Sequence, residues 1–333
     1  MSEIRFITSS DEHISDRNPG FRKDDYTNEI LKKLVWQGHL AKRINAHAIL
    51  RGGDLFDQKI PNKTSMKTLA KVCRIHRDYM CPTYSIIGNH DIYQNDISTV
   101  SKQPLGVLFE SGTINRLTDN RFVSGSISVR VIGVPYTVDL TEIDLRELVK
   151  KEGDNDTYTI AIIHALAANS PDSKIQSFFI ERILDYKDLV FNGCPDIYVL
   201  GHYHKYQGVI DHLGVKFVNL GAVSRGSLTF DNLTRVPKVA VIECSSSGIS
   251  IEEHEIPHND PSLAFDIDKK KELEKEKREL DNFIDEFKSG INNNDNSGIS
   301  DHLKSFNNSN LPNDLKKTVN ETIEEAESEV IER

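Results

Sequence analysis

The chain has 333 residues, 38% of them hydrophobic and 28% charged, with a net charge of −10. This is an ordinary soluble composition with enough apolar residues for a sizeable core. It excludes a strongly basic nucleic-acid binder, no apolar run approaches the roughly 18 residues of a membrane span, and the N-terminal MSEIRFITSS carries no secretory pattern. The charge is uneven, since residues 262–333 hold 11 basic against 18 acidic residues and so most of the net negative charge. Cys73, Cys81, Cys194 and Cys244 form no CxxC pair and read as buried thiols rather than a disulfide framework or a zinc knuckle.

In chain order, IRFIT (4–8) reads as a strand, residues 25–45 as a helix, AHAIL (46–50) as a strand, 66–79 as a helix and TYSII (83–87) as a strand. Such an alternation predicts an α/β sheet with right-handed crossovers, and polar motifs follow each strand where such sheets place their sites. Beyond residue 120 the runs SISVRVIGVPY, TYTIAIIHALA, IYVLGHYHK, GVKFVNLGAVS, VPKVAVIEC and GISIEEHEI read as strands, with helices near 141–151 and 173–190. A second sheet packed on the first is expected. The domain is expected to span 1–261. An acidic helical extension (262–333) follows, with a stripe of Leu273, Leu280, Phe283, Ile284 and Phe287, a stop at Gly290, a linker near 289–298 and a last helix over 313–331.

Five motifs carry chemistry: SDEH (10–13), GGD (52–54), GNHD (88–91), IIHA (162–165) and GHYH (201–204). Each follows a strand-like run and offers nitrogen or oxygen donors. His202 and His204, at i and i+2, share a side of an extended chain. Hydrolysis of a phosphate ester needs charge neutralisation and an activated water, and two ions sharing a bridging carboxylate supply both. Mixed His, Asp and Asn donors suit manganese, iron or zinc, and no thiolate joins the set.

These five segments, in this order, resemble the calcineurin-like metallophosphoesterase superfamily over about the first 225 residues. The resemblance implies two packed mixed β-sheets flanked by helices, an α/β fold in four layers. It implies that Asp11, His13 and His204 hold one ion, that Asn89, His164 and His202 hold a second, and that Asp54 bridges. His90 would act on the leaving group, with Asp91 orienting it. The expected cofactor is a pair of divalent ions, manganese foremost.

The stretch GGDLFDQKIPNKTSMKTL, with GNHDIY, is similar to the SbcD-like DNA nucleases. That similarity implies a nuclease, exo- or endonucleolytic, in repair or recombination. The partners it implies are DNA, an SbcC-like coiled-coil ABC ATPase docked on the C-terminal helices, and a second copy through a helix near 92–112. Arg17, Arg22, Lys23, Lys59, Lys63 and Lys67 are the candidate phosphate contacts, with Lys205 and Arg225 near the other motifs. The implied location is cytoplasmic, in a host if phage-encoded. Three departures stand out: any capping segment within 210–261 is small or missing, Asp57 replaces a histidine found in some relatives, and Glu12 stands where an apolar or aromatic residue is expected. A stand-alone phosphomonoesterase or protein phosphatase is the alternative reading. A non-catalytic scaffold is disfavoured because no expected position is empty.

Overall fold

The computed structural model describes residues 2–57, 64–151, 153, 156–171, 176, 181–292 and 316. The chain divides into two compact units, Met1–Phe265 and Asp266–Arg333. The first runs past residue 261 because Ala264 and Phe265 are buried and Lys23 donates to the Ala264 carbonyl.

The first elements are β1 (Glu3–Ser9), α1 (Tyr26–Arg43), β2 (Ala48–Arg51), α2 (Met66–Arg77) and β3 (Thr83–Ser85). Helix α1 starts where Asp25 accepts from the Asn28 amide and ends with Lys42 and Arg43 in its last turn. It buries Ile30, Leu31, Leu34, Leu40 and Ala41 at helical spacing, whereas Val35 is exposed. Ser65 caps α2, which buries Leu69, Val72 and His76; Met66, at its first position, points to solvent.

Next come β4 (Asn115–Arg116), β5 (Asp119–Ser124), β6 (Ile127–Val134), β7 (Tyr158–His164), β8 (Ala167–Ala168), β9 (Leu184–Asp185), β10 (Ile197–Gly201), β11 (Gly208–His212), β12 (Val215–Asn219), β13 (Lys238–Ser245) and β14 (Gly248–Glu255). The helices among and after them are α3 (Pro104–Glu110), α4 (Glu142–Val149), α5 (Phe230–Thr234) and α6 (Pro261–Ala264). Of the helix expected over 173–190, Gln176 is helical and 173–175 and 177–180 lie outside the described residues, but the second half is not helix: Leu184–Asp185 pairs with Ala167–Ala168, and Tyr186–Leu189 is a single 3-10 turn. The stretch 92–112 is likewise split into a 3-10 turn (Ile97–Lys102) and α3, because Pro104 opens a new helix.

Two six-stranded mixed sheets result, ordered β14-β13-β1-β2-β3-β4 and β11-β12-β10-β7-β6-β5. Alternation sorts their faces. Ile4 and Phe6 of β1 and Leu50 of β2 meet Val129, Val131, Ile160, Ile162, Ile197 and Val199 of the other sheet in one core. Each such aliphatic side chain contributes about 1.5–3 kcal/mol by leaving water. The opposite faces pack on helices, Ile7 and Ile49 against Leu40 and Ala41, and Ala161 and Ile163 against Leu145 and Val149. The architecture is therefore helix, sheet, sheet, helix. Strands β13 and β14 return to the first sheet beside β1 rather than extending the second. Residues 208–255 go into four strands and α5.

In the second unit, α7 (Ile267–Asn292) runs two residues beyond Gly290, so that glycine is not the stop. Arg278 donates to the Glu274 carbonyl, and the i,i+4 ion pairs are Lys270–Glu274 and Lys275–Glu279. The last expected helix lies outside the described residues, apart from Lys316. All four cysteines are free, but against expectation only Cys244, on the inner face of β13, is buried, whereas Cys73, Cys81 and Cys194 are half-buried at the edges of the helix-packed cores. No described helix is long and apolar enough to cross a membrane.

Candidate active site

The five motifs lie at the C-terminal ends of β1, β2, β3, β7 and β10, strands that run parallel within each sheet. Backbone bonds fasten the first two loops together: Asp11 N to Gly53 O at 3.1 Å, His13 N to Asp54 O at 3.0 Å, and Ile14 N to Leu55 O at 2.9 Å. Asp11, His13, Asp54 and His202 have φ of 59°, 48°, 54° and 82°. Left-handed backbone at four non-glycine residues is strain, and it concentrates where these donors converge.

The convergence forms two donor sets. Asp11, His13, Asp54 and His204 make one; Asp54, His164 and His202 make the other. Nε2 of His13 lies 3.0 Å from Nε2 of His204, and His204 Nε2 is 3.4 Å from Asp11 Oδ1. Asn89 Oδ1 lies 3.1 Å from His164 Nε2 and so joins the second set. Asp54 is common to both. Its Oδ1 accepts the His90 amide at 2.8 Å. Its Oδ2, 3.4 Å from His164 Nε2 and 3.7 Å from His13 Nε2, is buried with no hydrogen-bond partner among the described residues. A buried carboxylate oxygen left in this state is costly unless a cation takes it. The donor chemistry and this orphaned oxygen both fit a pair of first-row divalent ions.

These groups also interact strongly with one another through their charges. Burial alone would raise the Asp54 carboxyl, but His164, His13 and His90 around it hold it well below the usual range. Burial likewise opposes a charge on His164, yet the adjacent Asp54 and Asp11 lift it to about 9. Gly88 allows this crowding, because a Cβ there would run into the Asp54 carboxylate.

His90 stands beside both sets, its ring centroid 4.7 Å from that of His13. The carboxylate facing its ring is that of Asp57, whose Oδ1 is 3.0 Å from His90 Nδ1 and 3.5 Å from His13 Nδ1. Asp91, expected to orient His90, accepts the amides of Asp54 (2.8 Å), Gly88 (3.0 Å) and Phe56 (3.2 Å), at the turn that carries the histidine. Asp57 is therefore a site residue that the sequence marked only as a departure. Glu181 and Tyr136 were not foreseen at all. Glu181 Oε2 is 3.0 Å from His202 Nε2, and Tyr136 donates to Glu181 Oε1 at 2.9 Å. Nothing in their local sequence marks them.

Glu12 is explained by a buried ion pair. It meets Arg51 at the end of β2, both side chains fully buried, with Ser9 donating to Glu12 at 2.6 Å. Among the expected phosphate contacts, Arg17, Lys23 and Lys67 are exposed. Lys59 and Lys63 lie outside the described residues. Arg22 is not available to a substrate strand: it pairs with Asp24 at 2.7 and 2.8 Å and donates to the Arg225 carbonyl. Arg225 is itself buried.

Residues 4–206 match the calcineurin-like phosphoesterase family, and the chain belongs to it. This is a family of dinuclear metal-dependent phosphoester hydrolases, and the clustered donors are the candidate metal site. The chain is also similar to the DNA double-strand break repair protein Mre11 of Methanosarcina acetivorans, at 22% identity over 256 residues, 77% of this chain and 39% of that one. It thus spans well under half of that relative's length. Two solved structures are similar. One is GAP50, the anchor in the inner membrane complex of Plasmodium (13% identity, TM-score 0.46, 79% of this chain and 91% of that one). The other is TT1561 of Thermus thermophilus (12% identity, TM-score 0.44, 76% of this chain and 99% of that one).

Proposed function

We propose that this protein is a dinuclear-metal phosphodiesterase that cleaves DNA. Asp11, His13 and His204 would hold one ion, Asn89, His164 and His202 the other, and Asp54 both. The observation carrying the phosphodiesterase reading is the Asp54 carboxylate shared by two histidine-rich donor sets, its buried Oδ2 making no hydrogen bond among the described residues. The choice of DNA is supported by the similarity to a DNA double-strand break repair protein over 77% of the chain.

When bound, the ions would neutralise the phosphate and lower the pKa of a water. The chain's own residues do the rest. The strained loops hold the donors in place before substrate arrives. Asp57 fixes the plane and tautomer of His90 through Nδ1, which makes His90 the donor of a proton to the departing 3′ oxygen. Asp91 keeps the His90 turn in register with Asp54.

In this reading manganese is the working ion. The acidic second unit docks an SbcC-like ATPase, the catalytic unit pairs with a second copy, and the complex acts inside the cell. The test is manganese-dependent cleavage of linear double-stranded DNA beside hydrolysis of an aryl phosphate monoester, with His90→Ala and Asp54→Asn as controls. DNA cleavage lost in both variants, with little monoester turnover, is expected. Fast monoester turnover with intact DNA would move the protein to the phosphomonoesterases.

A further inference from the structure

After β12 the chain doubles back as a strap, Ala222–Ser227, along the metal-motif loops. Its amides point to them: Ala222 N to His204 O at 3.0 Å, Val223 N to Ser10 O at 3.0 Å, and Ser224 N to Asp11 O at 3.2 Å. Its carbonyls point the other way, and each of four in succession accepts from a cationic side chain. Arg235 binds those of Ala222 and Ser224, Lys33 that of Val223 at 2.6 Å, and Arg22 that of Arg225. Lys33, Arg225 and Arg235 are 4%, 3% and 7% exposed.

Among the described residues, two carboxylates pair with these four side chains, Asp24 with Arg22 and Asp231 with Arg235. Among the described residues Lys33 has the Val223 carbonyl as its hydrogen-bond partner, Arg225 donates through Nη2 to the Asn259 carbonyl, and Arg225 Nε is buried without a hydrogen-bond partner. Burial and the neighbouring arginines push the Lys33 ammonium well below its usual range, with Glu29 opposing only from a distance, and burial lowers Arg225 to about 10, opposed from a distance by Asp24 and Asp260. Burying charge this way is expensive, and the low dielectric that makes it so also projects the arginine charge onto whatever lies beside it.

What lies beside it is a groove of about 290 Å³. His13, Asp57, His90 and His204 form one wall, and Ser224, Gly226, Ser227, Asn232 and Arg235 line the strap side. The strap side therefore offers the Ser224 and Ser227 hydroxyls and the Asn232 side-chain amide beside the Arg235 guanidinium, next to the candidate metal site. A phosphate monoester has no second charge to place there, whereas a nucleic-acid strand has one at every step.

We propose that the strap, with Asn232 and Arg235, is a subsite for the phosphate adjacent to the scissile one. This rests on the nuclease reading and adds that recognition is of a strand's repeating charge. The test uses the full chain with manganese and three short substrates, the dinucleotide TpT and its forms carrying one extra terminal phosphate, pTpT and TpTp. Cleavage and competition against an aryl phosphodiester are both measured. One terminal phosphate is expected to improve KM and the inhibition constant by about tenfold or more, with little effect on kcat. Ser227 is exposed, so a substitution there leaves the core intact. Ser227→Asp is expected to erase that gain and Ser227→Arg to enlarge it. Equal constants for all three compounds, or a gain that Ser227→Asp leaves intact, would overturn the subsite. Failure of the nuclease reading looks different: no oligonucleotide is cleaved while an aryl monoester is.

Discussion

Asp57 Oδ1 lies 3.0 Å from Nδ1 of His90 and 3.5 Å from Nδ1 of His13, so one carboxylate backs both the proposed proton donor and a proposed metal ligand. The pairing separates two kinds of loss. His90→Ala should lower kcat on a DNA diester by about 10²–10⁴-fold. With a p-nitrophenyl ester, whose leaving group needs no proton, the loss should be far smaller. Asp57→Asn should follow the same pattern at about tenfold or more. Equal losses on both esters would sink the leaving-group role.

Asp54 belongs to both donor sets. Asp54→Asn should therefore weaken binding of both ions, whereas His204→Ala should weaken one. Titration calorimetry or metal analysis after dialysis counts the ions. Two ions retained at full affinity in Asp54→Asn would remove its bridging role.

The Glu12–Arg51 pair is fully buried beneath the first two motif loops. Arg51→Met leaves the carboxylate uncompensated and should cost about 3–5 kcal/mol in urea unfolding. Adding Glu12→Leu to Arg51→Met should recover most of that loss, since an apolar pair of similar volume avoids the desolvation. No recovery in the double variant would mean that the pair contributes through something other than charge balance.

His76 gives a pH dependence. It is 5% exposed, and its Nδ1 lies 2.8 Å from the Val72 carbonyl. Burial, reinforced by the nearby Arg51 charge, pushes its pKa down to about 3. An unfolded chain takes up this proton near pH 6.5 and the folded one refuses it. The contribution is therefore complete above about pH 6.5 and falls toward pH 3, by up to about 1.4 kcal/mol per pH unit. His76→Gln should flatten the stability curve between pH 6.5 and 5 relative to the parent. Parallel curves would show that His76 does not set this slope.

By itself the sequence determined the alternating elements, the two-sheet layering and the motif residues at strand ends, because hydrophobic period and local breakers are written within a few residues of each element. It marked Glu12 and Asp57 as departures but could not say what they face. Those answers depend on side chains far apart in the chain: Glu12 meets Arg51, Asp57 meets His90, and His13 meets His204 across 191 positions. The same holds for β13, which pairs with β1 from the other end of the catalytic unit, and for Glu181 behind His202. The strap depends most on tertiary structure, since Arg22, Lys33 and Arg235 look like ordinary surface charges until packing turns them onto four consecutive carbonyls. Local pattern specifies which faces are apolar. Only close packing decides which buried charges must share the space left between them.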